Sequence, residues 1–186
     1  MTALAVLPQA RERLLSGRNV RVSGEAAIGG PFTLTDLAGR TVADMDFRGR
    51  TMVVVFGSAA APDASAASLQ VLSAALTKLG PKAERVAPIL VIVDGQGEAP
   101  ERLKRLVEGF DPRVVGLSGT REQIAAVLAA YRVPGVRESE DIASLGRYAI
   151  SYPPPIYVMG PDGRYRGHLS FAAGADAVAA SLLGML

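Results

Sequence analysis

An α/β sandwich of three layers around a mixed sheet is predicted for this chain, on three observations. Two continuous β-branched runs each lead toward a helical stripe. A late pair of strands is joined by a tight turn. An apolar helix closes the chain.

The elements follow in order. Residues 1–26 read as an N-terminal arm in which Gln9 to Leu15 form a short helix, and Gly29-Gly30-Pro31 ends it. Phe32-Thr33-Leu34-Thr35 alternates, Gly39 supplies a turn and Thr41-Val42-Ala43 returns, which reads as a small hairpin. Thr51 to Phe56 is the signature of a strand buried on both faces of a sheet. Leu69, Leu72, Leu76 and Leu79, at spacings of three and four, form one stripe of a helix expected over 66–79. A second buried strand is expected over 88–93. Pro100 opens a helix expected to reach residue 109. Val114 to Leu117 is a short strand, and Thr120 with Gln123 makes a capping box for a helix over 121–131. The polar stretch Pro134 to Ser151 reads as one long loop. Ile156–Met159 and Tyr165–Leu169 flank Pro161-Asp162-Gly163, and a last helix covers 175–186.

Composition excludes much chemistry. Cysteine is absent, which removes disulfides, thiolate nucleophiles and Cys-ligated metal centres together. With His168 alone, no multi-histidine metal site and no two-histidine acid–base pair is possible. The 20 Lys+Arg and 18 Asp+Glu nearly cancel, so Arg11, Arg13, Arg18 and Arg21 read as a solvated face, and no nucleic-acid partner is expected. The apolar start, Ala3 to Leu7, stops at Pro8 and is too short to span a bilayer. As it stands the chain shows no signal peptide or anchor, which predicts a cytoplasmic protein.

No catalytic pattern survives inspection. Gly95-Gln96-Gly97 lacks the third glycine of a dinucleotide loop, and Gly116 to Thr120 is not a nucleophile elbow. Glu138, Glu140 and Asp141 read as a solvated charge run rather than a hard-metal site.

The order of elements resembles that of thioredoxin-like proteins, and individual stretches narrow the likeness. Gly29 to Phe32, Val55-Phe56-Gly57, Pro62-Asp63, Val93-Asp94 and Phe110 to Arg113 are similar to the Sco/SenC family. So are Gly116 to Glu122, Tyr131-Arg132-Val133 and Tyr157 to Gly163, so that the resemblance covers residues 27–186 as one domain. It implies a thioredoxin-like sandwich, and a family usually membrane-anchored and periplasmic or mitochondrial that helps assemble the copper centre of cytochrome oxidase. It also implies a copper site made of Cys-x-x-x-Cys and a distal histidine, soft sulfur holding Cu(I) and imidazole Cu(II).

At the matching positions this chain has Ala61 and Ser65 for the two cysteines and Tyr152 for the histidine, with Ser151 before it. Pro62 and Asp63 remain between the lost cysteines. No catalytic residue, metal or cofactor is therefore expected, and the protein is not expected to be an enzyme. Tyr152 is expected to plug a concave region lined by Ala59, Ala60, Ala61 and Ala64. Ser65 is expected in the N-cap region of the following helix. Of Pro153-Pro154-Pro155, Pro154 is the position where the broader fold often places a cis proline, with Pro155 the near alternative.

Met45, Met52 and Met159 could offer thioethers to copper, yet Met52 and Met159 read as core residues and His168 as a surface or hydrogen-bonded histidine. The expected function is a non-catalytic binding or assembly module, with a protein partner at the old active-site face. The alternatives are a copper or cytochrome-oxidase assembly factor using Met or His ligands, and an enzyme with an unrelated site.

Overall fold

The computed structural model describes residues 28–94, 100–134, 136–138, 148–150 and 155–186. The expected arm and the Gly95-Gln96-Gly97 stretch lie outside the described residues.

Among the described residues, seven strands pair into one mixed sheet. The hairpin β1 (Thr33–Asp36) and β2 (Thr41–Ala43) joins it through β1, antiparallel to β5 (Val115–Ser118). β3 (Thr51–Gly57), β4 (Val86–Ile92) and β5 run parallel, and β3 and β4 are buried at every residue. Their unbroken apolar sequence reflects helices on both faces. β4 tolerates Pro88 because the β5 ladder begins only at Ile89, so that β3 alone flanks the strand there. β8 (Ile156–Met159) runs antiparallel to β3 and to β9 (Tyr165–Leu169).

α1 (Pro62–Leu79), α2 (Pro100–Val107) and α4 (Gly174–Met185) pack on one face, with Leu69, Leu72, Leu76, Leu103, Val178 and Leu182 in one core. α3 (Arg121–Ala130) covers the other, with Ile124, Val127 and Leu128. There Phe56, Tyr131 and Tyr157 meet edge to face with centroids 5.5–5.6 Å apart. Burial holds the Tyr131 phenol well above its ordinary pKa.

The capping box forms as expected: Gln123 N donates to Thr120 Oγ1 and Thr120 N to Gln123 Oε1. Several boundaries differ. α1 starts at Pro62, four residues before the expected 66, because proline is well suited to the first helical position. α2 stops at Val107 rather than 109, where Gly109 takes φ +91. β4 spans 86–92 rather than 88–93, and β5 begins one residue late. The segment expected as one long loop carries two short strands, β6 (Val136–Glu138) and β7 (Tyr148–Ile150), paired antiparallel with Val136 opposite Ile150. At three residues each, they are too short for the alternation that reveals a strand in sequence.

The far end of the sheet is tied by side chains. Arg48 donates to the Asp44 carboxylate at 2.8 Å and to the Asp162 carbonyl in the β8–β9 turn. Gly49 N donates to the Pro161 carbonyl at 3.0 Å beside it.

Candidate functional site

Two parallel neighbours, β3 and β4, end side by side with Gly57 opposite Ile92. The residues that follow them, Ser58 to Ala61 and Val93-Asp94, therefore meet above the carboxyl ends of the strands, where α/β sheets commonly place their sites. Val93 N donates to the Gly57 carbonyl at 3.0 Å and carries Asp94 over the loop.

Asp94 is 3% exposed, and both of its oxygens are engaged. Oδ1 accepts from Ala59 N at 2.6 Å, and Oδ2 from Ala60 N at 2.8 Å and Ser58 Oγ at 2.7 Å. Burying a carboxylate is costly unless donors surround it, and bonds to an ionised acceptor are the strong ones. Ser58 Oγ passes the constraint on, accepting from Ala60 N at 3.1 Å and Ala61 N at 3.2 Å.

Ser65 closes the loop from the helix side. Its hydroxyl accepts from Ser58 N at 2.9 Å and donates to the Ser58 carbonyl at 3.0 Å. It is buried in the first turn of α1, and the helix is capped at Ala61 without a side-chain bond. The N-cap role expected for Ser65 is thus corrected. With Pro62 opening the helix, position 65 lies one turn in, and its hydroxyl turns back to the loop.

Ala61 and Ser65 are one helical turn apart, Ser65 N donating to the Ala61 carbonyl at 3.2 Å. Pro62, Asp63 and Ala64 are exposed on the same turn. Asp63 stands in the first turn of α1, where a negative charge suits the helix dipole. The four alanines do not share one wall: Ala59 is buried, Ala61 half-buried, and Ala60 and Ala64 face outward. The backbone bonds to Asp94 pull residue 59 inward and turn its neighbour out. Ser151, Tyr152, Pro153 and Pro154 lie outside the described residues, as does the peptide bond into Pro155.

The substitute ligands do not converge on this site. Met52 and Met159 face each other across β3 and β8 as buried core, and Met45 is 71% exposed beside Asp44. His168 is exposed on β9, its Nδ1 2.6 Å from Tyr165 Oη and its ring stacked on the phenol. Glu138 falls in β6, and Glu140 and Asp141 lie outside the described residues. A cleft of about 550 Å³ between α2 and the β1–β2 hairpin, lined by Leu37, Arg40, Lys104 and Val115, includes none of the predicted site residues. Among the described residues no helix is long and apolar enough to cross a membrane.

Asp94 stands out in the sequence only within the family-like stretch Val93-Asp94, and not as a residue of the site. The available signal was an acid placed directly after a continuous apolar strand, at the same end as the loop after the preceding one.

A family model described as SCO1/SenC matches residues 20–186. Protein SenC of Rhodobacter capsulatus is 32% identical over 160 residues, 86% of this chain and 71% of that protein. The mitochondrial SCO1 homolog of Homo sapiens is 27% identical over 86% of this chain. The chain spans between 41% and 65% of the length of the mitochondrial relatives from human, Bos taurus and Arabidopsis thaliana. The copper-bound structure of Bradyrhizobium japonicum ScoI is similar at a TM-score of 0.71 and 34% identity, covering 86% of this chain and all of that one. A thioredoxin domain from Bacteroides vulgatus, at a TM-score of 0.57 and 15% identity, shares the fold.

Proposed function

Because the chain belongs to the SCO1/SenC family, we propose that it is a non-catalytic binding or assembly module of that family, working through the face built by residues 58–65. The observation that carries this reading is the donor set of the loop. Ala61 and Ser65 stand at the positions read as those of the two metal-binding thiols. The side chains from Ser58 to Ser65 offer only methyl groups, the Pro62 ring, two serine hydroxyls and a surface carboxylate. Ser58, Ser65 and the neighbouring Asp94 already bond to each other or to the loop backbone. Nothing there presents a thiolate, thioether or imidazole to copper, so the relatives' cargo has no soft ligand at this place.

The outward-facing Ala60, Pro62 and Ala64 supply contact area instead. The partner that the family suggests is a protein of cytochrome oxidase assembly, for which the copper-bearing oxidase subunit is the first candidate. The experiment is association of purified chain with that subunit, comparing wild type with Ala61→Arg and Ala64→Arg. Loss of association in folded variants supports the reading. Unchanged affinity with both charges in place removes this face from the function.

A further inference from the structure

We infer that Asp94 is the internal ligand of the site loop: its carboxylate fills the ring of donors at residues 58–60, so the loop holds one shape with no metal ion and no covalent cross-link. Successive backbone N–H groups that point at one anion form a nest. Here Ala59 N and Ala60 N point at a carboxylate of the chain itself, and Ser58 Oγ adds a third donor.

The clamp works from both sides. From the sheet, Asp94 holds residues 58–60, and Ser58 Oγ extends the hold to Ala61 N. From the helix, Ser65 takes both backbone groups of Ser58. Each of these three side chains is at least nine-tenths buried, a setting in which the bonds they make are stronger than in water. None of them is needed to fill the hydrophobic core, which lies below in β3 and β4. Asp94 is therefore a positioning residue of the loop.

The consequence concerns how the face meets a partner, and it rests on the docking reading given above. A loop already held in one shape loses little conformational freedom on association, so binding here proceeds with little rearrangement of the backbone. The clamp itself is measurable without a partner.

The test uses the full chain with Asp94→Ala, Asp94→Asn and Ser58→Ala. Amide exchange is read at Ala59 and Ala60, with Val54 and Val55 of β3 as internal control. A nitroxide on Ala60→Cys serves as a second reporter, since the chain has no other thiol to label. Loss of these bonds in Asp94→Ala is expected to speed exchange at 59 and 60 by about tenfold or more, while β3 stays within about twofold. Asp94→Asn keeps one acceptor oxygen and is expected to fall between the two. The label's spectrum is expected to sharpen in the same order. If Asp94→Ala does not fold, Asp94→Asn and Ser58→Ala decide. Unchanged exchange and line shape in both overturn the inference. So does a rise at 59 and 60 matched by an equal rise in β3, since Asp94 would then support the whole fold. A loop that loosens in Asp94→Asn supports the clamp even if Ala61→Arg and Ala64→Arg leave association intact; that result counts only against the docking face.

Discussion

Gly57 faces Ser65 so closely that a methyl group at position 57 would stand 3.0 Å from Ser65 Oγ, and 2.8 Å from Leu90 Cδ1. The last residue of β3 is thus what lets the first turn of α1 lie against the strand and reach Ser58. Gly57→Ala is expected to destabilise the fold by about 1–3 kcal/mol, as overpacking of a filled interior does. Urea unfolding measures it, and a variant as stable as wild type would show that the helix can retreat freely.

Ser65→Ala removes the partner of both backbone groups of Ser58 while keeping the helix. Leaving a buried donor and acceptor unpaired costs roughly 1–3 kcal/mol. A lower denaturation midpoint with an unchanged slope is the expected result. An unchanged midpoint would mean that Ser58 finds other partners.

Gly163 takes φ +73 in the β8–β9 turn, and a Cβ there would run into the Arg48 guanidinium. Gly163→Ala is expected to cost more than the roughly 1 kcal/mol of the left-handed backbone alone, because Arg48 must leave the Asp162 carbonyl. Repeating the substitution in an Arg48→Ala background separates the two parts. The penalty should shrink there to the backbone part, and an equal penalty in both backgrounds would show that the side chains do not collide.

Asp111 has a pH signature. Hydrogen bonds from the Arg113 side chain hold its carboxyl below the ordinary value, against a smaller opposing effect of burial. The bonds are short, 2.6 Å from Nη2 and 2.8 Å from Nε. A depressed folded pKa contributes stability that is present above the unfolded value and lost as pH falls through the folded one. Part of the stability should therefore fade below about pH 4, near the unperturbed Asp value. In Asp111→Asn the acid limb of a stability-against-pH curve should flatten, and an identical limb would remove Asp111 as a contributor.

Copper should bind the purified protein weakly and without fixed stoichiometry, because positions 61 and 65 supply no thiolate. Metal analysis after dialysis against a chelator is the check. One equivalent of retained Cu(I) or Cu(II) would require a ligand set elsewhere in the chain and would overturn the reading of this site.

The sequence by itself determined which chemistry this chain lacks and where its longer regular elements lie. A chain without cysteine has no thiol chemistry in any fold. The runs of β3 and β4, the leucine stripe of α1 and the Thr120–Gln123 box are local patterns, each set by neighbours within a few residues. Burial period and capping act at that range, so they are legible before any tertiary contact is known. The likeness to the SCO1/SenC family was readable from short stretches in the right order, and the family match bears it out.

Only the tertiary structure decided the site. Ser58 and Asp94 are 36 positions apart, and nothing local brings them together. They meet because β3 and β4 pair in parallel with Gly57 opposite Ile92, a register chosen by the packing of whole strands rather than by either loop. The same holds for Arg48, whose bond to the Asp162 carbonyl spans 114 positions. Ser65 shows how little the residue type alone reveals. A serine near a helix start is a cap by local rules. With Pro62 opening the helix and Gly57 leaving room, its hydroxyl instead closes the loop over the end of the sheet.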